Sequence, residues 1–278
     1  MDAANGYLYL TNRLSSDNSD TTDNILRVNV NEASDNYLQV RRFSDGVNPF
    51  GIAIDLANEN LYLADSQSKL SYFALGDPED MKSANLQDLD ISDGSTLSNS
   101  DFRDIVIIDR QAFISRTWGG VLVYDLDEKN VDYYISDITS PRAIATDGVN
   151  IYVTTVEIES GTSVPYLLVL DPLAVPPVAD NSETALVDKD DDEVLVEKVE
   201  VGVNPQEIAL STDYIFVSNM DDDTVSAIAK ADYDVTEIEV GDEPFGMGLY
   251  NDTYLYVTNI QSNDMSIIDL SDFSVETY

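Results

Sequence analysis

Apolar residues in this chain fall in short runs rich in isoleucine, valine, tyrosine and leucine, and the runs are separated by aspartate, asparagine and glycine. Runs of about five residues bounded by turn formers predict β-strands, and no stretch sustains the period of a long amphipathic helix. The last part of the chain shows the pattern most plainly. Strands are predicted over 245–249, 254–258, 265–270 and 273–278, with a turn at Asn251 and Asp252 and a loop over 259–264. Four such strands occupy about 40 residues, which is the length of one four-stranded antiparallel blade of a β-propeller.

The same phrase recurs along the chain. VGVNPQEIALSTDYIFVSNMDDDTVSAIA (201–229) is followed by VGDEPFGMGLYNDTYLYVTNIQSNDMSIID (240–269), with Pro205 and Pro244 39 residues apart. Earlier copies surround Pro49 (46–75) and Pro141 (140–155), and 101–126 fits if Phe102 takes the proline position. GYLYLTN (6–12) matches only the second half of the phrase. The expectation is therefore an all-β, single-domain, six-bladed propeller over 1–278, with seven blades the less favoured count. Its blades fall near 1–46, 47–99, 100–138, 139–202, 203–241 and 242–278, and the first is incomplete.

LYVTN (255–259), IFVSN (215–219), IYVTT (151–155) and LYLTN (8–12), each set against the proline phrase, resemble the YVTN family of β-propeller repeats. The resemblance covers nearly the whole chain. It implies the propeller fold, a rigid platform for binding, and a secreted, cell-surface or surface-layer setting, with a periplasmic one as the variant. The chain departs from the pattern where LYLAD (61–65) replaces the motif and where the third unit lacks its proline. MDAANG has neither the basic nor the apolar region of a secretory leader, and blade one lacks most of its first strand. The expectation is a piece of a longer exported protein, with its leader upstream.

Charge narrows the chemistry. There are 14 Lys plus Arg against 53 Asp plus Glu, a formal net charge of −39, alongside 43% hydrophobic residues that suffice for a core. Such an acid excess argues against nucleic acid or an anionic membrane as partner, and no run approaches the length of a membrane-spanning helix. With no Cys and no His, disulfides, thiolate nucleophiles, zinc clusters and a Ser-His-Asp triad are excluded. No haem, zinc or nucleotide is expected. Calcium is the one cofactor considered, because Asp188, Asp190 and Asp192 alternate as in a calcium loop and Glu193 adds an oxygen donor. The prolines and acids of 171–194 read as an exposed loop between the third and fourth strands of blade four.

The scarce cations mark the other candidate site. Residues just after the proline position are Phe50, Arg103, Arg142, Gln206 and Phe245, which places two arginines at equivalent positions. Loops on the same face add Arg13 and Arg116, the latter near the only tryptophan, Trp118. Guanidinium forks pair with oxyanions and an indole stacks on rings, so this face suits a protein, glycan or anionic ligand. The function expected is a non-enzymatic binding or assembly module. Two alternatives stand beside it. One is a calcium-dependent hydrolase of the lactonase type using Asp55, Asp104 and Glu207. The other is a surface-layer or filament subunit that self-assembles through the open first blade.

Overall fold

In the computed structural model every regular element among the described residues is a β-strand. The structure describes residues 6–11, 25–43, 49–66, 68–87, 89–90, 96–97, 100–172, 185–190 and 193–278. The first sheet contains β1 (Tyr7–Thr11), β2 (Ile25–Asn29) and β3 (Val40–Phe43), three strands among the described residues. The second contains β4 (Pro49–Asp55), β5 (Asn60–Asp65), β6 (Lys69–Ala74) and β7 (Asp77–Asn85), and is followed by a small ribbon of β8 (Leu89–Asp90) and β9 (Thr96–Leu97). The third begins with β10 (Phe102–Ile108), β11 (Gln111–Arg116), β12 (Val121–Asp125) and β13 (Asn130–Ser136). The fourth is built from β14 (Ile144–Thr146), β15 (Ile151–Glu159), β16 (Thr162–Leu170) and, after an intervening β17 (Ala185–Asp188), β18 (Leu195–Glu200). The fifth holds β19 (Pro205–Leu210), β20 (Tyr214–Asn219), β21 (Thr224–Ala229) and β22 (Val235–Glu239), and the sixth β23 (Pro244–Tyr250), β24 (Tyr254–Asn259), β25 (Asp264–Asp269) and β26 (Val275–Thr277). Six antiparallel sheets in series make the fold a six-bladed β-propeller.

The segment expected as a loop over 171–194 behaves differently. Its β17 leaves the fourth sheet and pairs with β13 as the fifth strand of the third. ALVD is a short apolar run, and the outer edge of β13 offers backbone groups that need partners.

The strands gather into two compact units, one built mainly from sheets one to three and the other from sheets four to six. In the first, Tyr9, Ile25, Phe43, Leu61 and Phe73 join sheets one and two, and Tyr62, Leu70, Phe102, Ile114 and Leu122 join sheets two and three. In the second, Tyr152, Leu167, Ile208 and Val217 join sheets four and five, and Phe216, Val225, Leu255 and Ile268 join sheets five and six.

The repeated phrase encodes a repeated device. The first strand of a sheet meets the second at Pro49↔Asp65, Phe102↔Arg116, Pro205↔Asn219 and Pro244↔Asn259, and the register shifts immediately afterwards. A hydroxyl on the second strand meets an amide at the start of the first, at the bulge in sheets three, five and six and at the corresponding place in sheet four. Ser115 Oγ accepts from Asp104 N (3.1 Å), Thr154 Oγ1 from Ala143 N (3.0 Å), Ser218 Oγ from Glu207 N (3.1 Å) and Thr258 Oγ1 from Gly246 N (3.1 Å). The next residue anchors the third strand. Asn219 Nδ2 donates to Ser226 Oγ (2.9 Å) and Thr224 Oγ1 (3.0 Å), while Asn259 Nδ2 donates to Ser266 Oγ (3.0 Å) and Asp264 Oδ1 (2.7 Å). Each amide lies against a glycine: a Cβ on Gly241 would stand 2.4 Å from Asn259 Nδ2, and one on Gly202 2.6 Å from Asn219 Cγ. The glycine three residues before each of these prolines is thus a steric requirement.

Removing two buried hydrogen bonds costs about 2 kcal/mol, so Asn259→Ala lowers stability in urea by about that amount. Gly241→Ala acts in the same direction by displacing the amide. An unchanged urea midpoint for either variant would contradict the role given to this contact.

Candidate functional site

In the first unit, the guanidinium of Arg103 lies 5.0 Å from the centroid of the Phe50 ring, and its Nε donates to Thr117 Oγ1 at 3.0 Å. Two residues of the post-proline row are therefore in contact. Arg116 ends β11 and is only 4% exposed. It takes the place that Asn219 and Asn259 hold in sheets five and six, and its guanidinium packs 5.5 Å from the Tyr134 centroid. Burial lowers its pKa from the ordinary value, while Tyr134 acts in the opposite sense. Trp118, by contrast, is 77% exposed. Its backbone N donates to Ser100 Oγ (3.1 Å), and Ser100 exchanges two bonds with Ser68, Ser68 Oγ to Ser100 O at 2.7 Å and Ser100 N to Ser68 Oγ at 2.8 Å. The next two residues in sequence, Gly119 (φ +112°) and Gly120 (φ +73°), belong to the second unit and lie in the left-handed region, which glycine enters without strain. Arg13 lies outside the described residues.

In the second unit, Arg142 is exposed and its Nη1 donates to Gln206 Oε1 at 2.9 Å. Gln206 Nε2 in turn donates to Asn204 O (3.0 Å) and Oδ1 (2.7 Å). Phe245 is 44% exposed, with its carbonyl held by Ser218 Oγ at 2.8 Å. The post-proline row is again brought together, here as an arginine–glutamine pair.

The proposed calcium ligands sit differently from a converging set. Asp188 Oδ1 accepts from Asp190 N (2.9 Å), Asp190 Oδ1 accepts from Lys189 Nζ (2.5 Å), Glu193 is exposed, and Asp192 lies outside the described residues. Among the described residues no group of three or more acids gathers that could hold an ion. A cation of the chain itself stands there. The Lys189 side chain is 5% exposed, 3.3 Å from Glu157 Oε1. Glu157 Oε2 accepts from Lys198 Nζ (2.6 Å), which also reaches Glu159 Oε1 (3.0 Å) and lies 4.0 Å from the Tyr166 ring centroid. This cluster was not anticipated. Its only signal in the sequence is that Glu157, Glu159 and Lys198 lie where blade four outgrows its repeat. Burial alone would lower the Lys198 pKa, but bonds to Glu157 and Glu159 outweigh it and hold the ammonium well above its ordinary value.

Of the three acids considered for hydrolysis, Asp55 and Asp104 have carboxylates bonded locally. Asp55, 3% exposed, accepts from Ala57 N (3.0 Å), Asn58 N (3.2 Å) and Asn58 Nδ2 (2.8 Å), closing the turn after β4. Asp104 Oδ1 accepts from Ile105 N (2.9 Å) at the bulge, and Glu207 N is the amide held by Ser218.

Comparison with protein families and with characterised proteins gives no match. Among solved structures, a chain of the crystal structure of a nidogen/laminin complex is similar over 98% of this chain and 93% of its own, at 14% identity and a TM-score of 0.65. A chain of the computationally designed Ika8 protein is similar over 93% of this chain and 69% of its own, at 7% identity and a TM-score of 0.61. At these identities the likeness shows the propeller fold alone.

Lys189→Met takes from Glu157 one of its two cations and leaves Lys198 in place, so it is expected to lower unfolding stability by about 1 kcal/mol. The raised pKa of Lys198 gives the pH dependence its sign. Its contribution is complete below the unfolded-state value of about 10.4 and is lost as pH rises through the higher folded value. Urea melts between neutral and strongly alkaline pH check this, and Lys198→Met removes that alkaline loss.

Proposed function

We propose that this chain is a non-enzymatic binding module of the YVTN type, working at the cell surface or outside the cell, and that it takes a protein partner at the Thr117–Gly120 turn. The observation that carries the reading is Trp118: a large aromatic side chain, 77% exposed, on a turn tied down through Ser100 and Ser68. Tryptophan and arginine on a rigid support are the residues around which interface energy concentrates. Arg103 is present in the same place, stacked on Phe50 and bonded to Thr117. That a chain of similar fold occurs in a nidogen/laminin complex is consistent with a protein partner. The repeat motifs of the sequence support the surface setting.

The test is to immobilise the chain beside Trp118→Ala and Arg103→Ala variants, present secreted and surface proteins of the source cells, and cross-link what is retained. A partner cross-linked at the 117–120 turn is expected, with retention falling by about tenfold or more in Trp118→Ala and the melting temperature unchanged. Equal retention by the parent and Trp118→Ala chains overturns the assignment of this turn.

A further inference from the structure

Sheet one gathers positive charge in a chain that is otherwise acidic. Arg27, Arg41 and Arg42 lie on β2 and β3, three of the eight arginines in the sequence. Arg27 stands directly opposite Arg41, and Leu26 opposite Arg42, so the first two share one face of the sheet and Arg42 takes the other. The shared face is the one turned toward sheet two, which belongs to the same compact unit. Tyr9 is opposite Arg27 and Ile25 opposite Phe43, and Tyr9, Ile25 and Phe43 pack with Leu61, Leu63 and Phe73. Like charges directly opposite each other on antiparallel strands repel.

Two rings hold these guanidiniums in place. Arg27 Cζ lies 4.4 Å from the Tyr7 ring centroid and 5.6 Å from that of Phe43, and Arg41 Cζ lies 5.0 Å from the same Phe43 centroid. Arg41 also pairs with Glu79 of sheet two. Arg27 is half-buried and has no carboxylate within ion-pair distance among the described residues, whereas Arg110 meets two. An aromatic face orients a guanidinium but leaves its N–H fork without an acceptor.

Both side chains line a cavity of about 150 Å³, together with Tyr7, Asn29, Asn36, Gln39 and Val40, and the lining contains no carboxylate. Asn29 is engaged in the turn after β2: its Nδ2 donates to Ser34 Oγ (3.0 Å) and its Oδ1 accepts from Asn31 N (3.0 Å). The backbone of that turn is closed by Leu38 N to Asn29 O (2.7 Å), Gln39 N to Asn36 O (3.0 Å) and Asn36 N to Ser34 Oγ (3.2 Å). These bonds fix the main chain and leave Asn36 and Gln39 exposed at the cavity with their side-chain amides available.

We propose that this cavity is a binding site for a sugar acid, a ligand with a single carboxylate on a polyhydroxylated ring. The forks of Arg27 and Arg41 donate to the carboxylate, and the bound anion relieves the repulsion between them. The Tyr7 hydroxyl and the two amides can both donate and accept, as ring hydroxyls require. The cavity is smaller than the roughly 300 Å³ at which sites for drug-sized ligands begin, which suits one sugar residue. The net charge of −39 sets the valence: the field of the chain opposes an anion in proportion to its charge, so a monocarboxylate is disfavoured less than phosphate or a polyanion. The site uses none of the residues of the Trp118 turn, and either assignment stands or falls without the other.

The experiment measures binding to the purified chain, at fixed ionic strength, of glucuronate, its uncharged amide, acetate and inorganic phosphate. Saturable binding of glucuronate is expected, with the amide weaker by about tenfold. Acetate, which lacks the hydroxyls, and phosphate, which carries more charge, are each weaker by about fivefold. Arg27→Gln lowers glucuronate affinity by about tenfold and leaves the unfolding midpoint close to that of the parent chain, because the lost ring contact and the lost repulsion oppose each other. Arg27→Lys keeps the charge and the ring contact but not the fork, and weakens binding by about threefold at parental stability. Asn36→Ala combined with Gln39→Ala weakens glucuronate and leaves acetate unchanged. The amide binding as tightly as the acid, or both Arg27 variants binding like the parent, overturns the proposal. So does phosphate binding as tightly as glucuronate, which would make this a general anion site, or a glutamate-bearing peptide binding more tightly, which would assign the cavity to a protein carboxylate.

Discussion

The hydrogen bond between a second-strand hydroxyl and an amide at the start of the first strand is the contact that recurs from sheet to sheet and fixes how each sheet begins. A β-bulge leaves an amide without its ladder partner, and a buried amide without a partner is costly. Ser115, Ser218 and Thr258 supply that partner, and Thr154 makes the same bond in sheet four. Because a hydroxyl can also donate, Ser218 reaches onward to Phe245 O of the next sheet, and Thr11 does the same to Phe50 O (3.1 Å). One small side chain thereby closes its own bulge and ties the neighbouring sheet. Sheet two has Ala64 at this position and manages by close approach instead: a Cβ on Gly51 would lie 2.6 Å from Asp104 Cα. The row of post-proline residues, Phe50 with Arg103 and Arg142 with Gln206, is held in register by these bonds.

Self-repulsion among 53 acids against 14 basic residues opposes a compact state, and the fold answers it by placing cations among carboxylates. Arg110 meets Asp125 (3.1 Å) and Asp127 (3.3 Å), Lys230 meets Asp147 (3.4 Å), Arg41 meets Glu79, and Lys189 and Lys198 share Glu157. Several of the scarce positive residues are therefore engaged within the chain. A surface so composed gains electrostatically from a cationic partner more than from an anionic one. Outside the Arg27 cavity, that shifts the weight away from oxyanion recognition by arginine and toward contacts in which this chain supplies the carboxylates and aromatic rings.

The strands, the repeat and the propeller were legible because each level of the sequence agreed: short apolar runs, turn residues and a recurrent proline phrase. The candidate site was legible only in part. The post-proline row follows from the phrase, but Arg116 was expected in a loop and is a buried packing residue; the aligned Asn259 was read as the start of a loop too, so the alignment carried no sign of burial. β17 was missed because its partner edge, β13, is distant in sequence and no periodic pattern announces a strand that joins another sheet. The burial of Lys189 depends on Glu157 in the same way.

Departures from the repeat are where the candidate chemistry lies. In sheets five and six an asparagine reaches from the second strand to the third across a four-residue connection. Arg116 stands in that position in sheet three, and the connection there, Thr117–Gly120, keeps the same four-residue length but carries two left-handed glycines. Loop length is thus kept while the residue ending the second strand changes from an amide anchor to a buried guanidinium, and Trp118 stands in that loop at 77% exposure. Sheet six departs in side chains rather than in backbone, with tyrosine, aspartate and glutamate at positions that in sheet five are phenylalanine, alanine and threonine. The repeat thus keeps backbone and loop length from sheet to sheet while side chains at equivalent positions change, and any chemistry particular to one sheet lies in those changes.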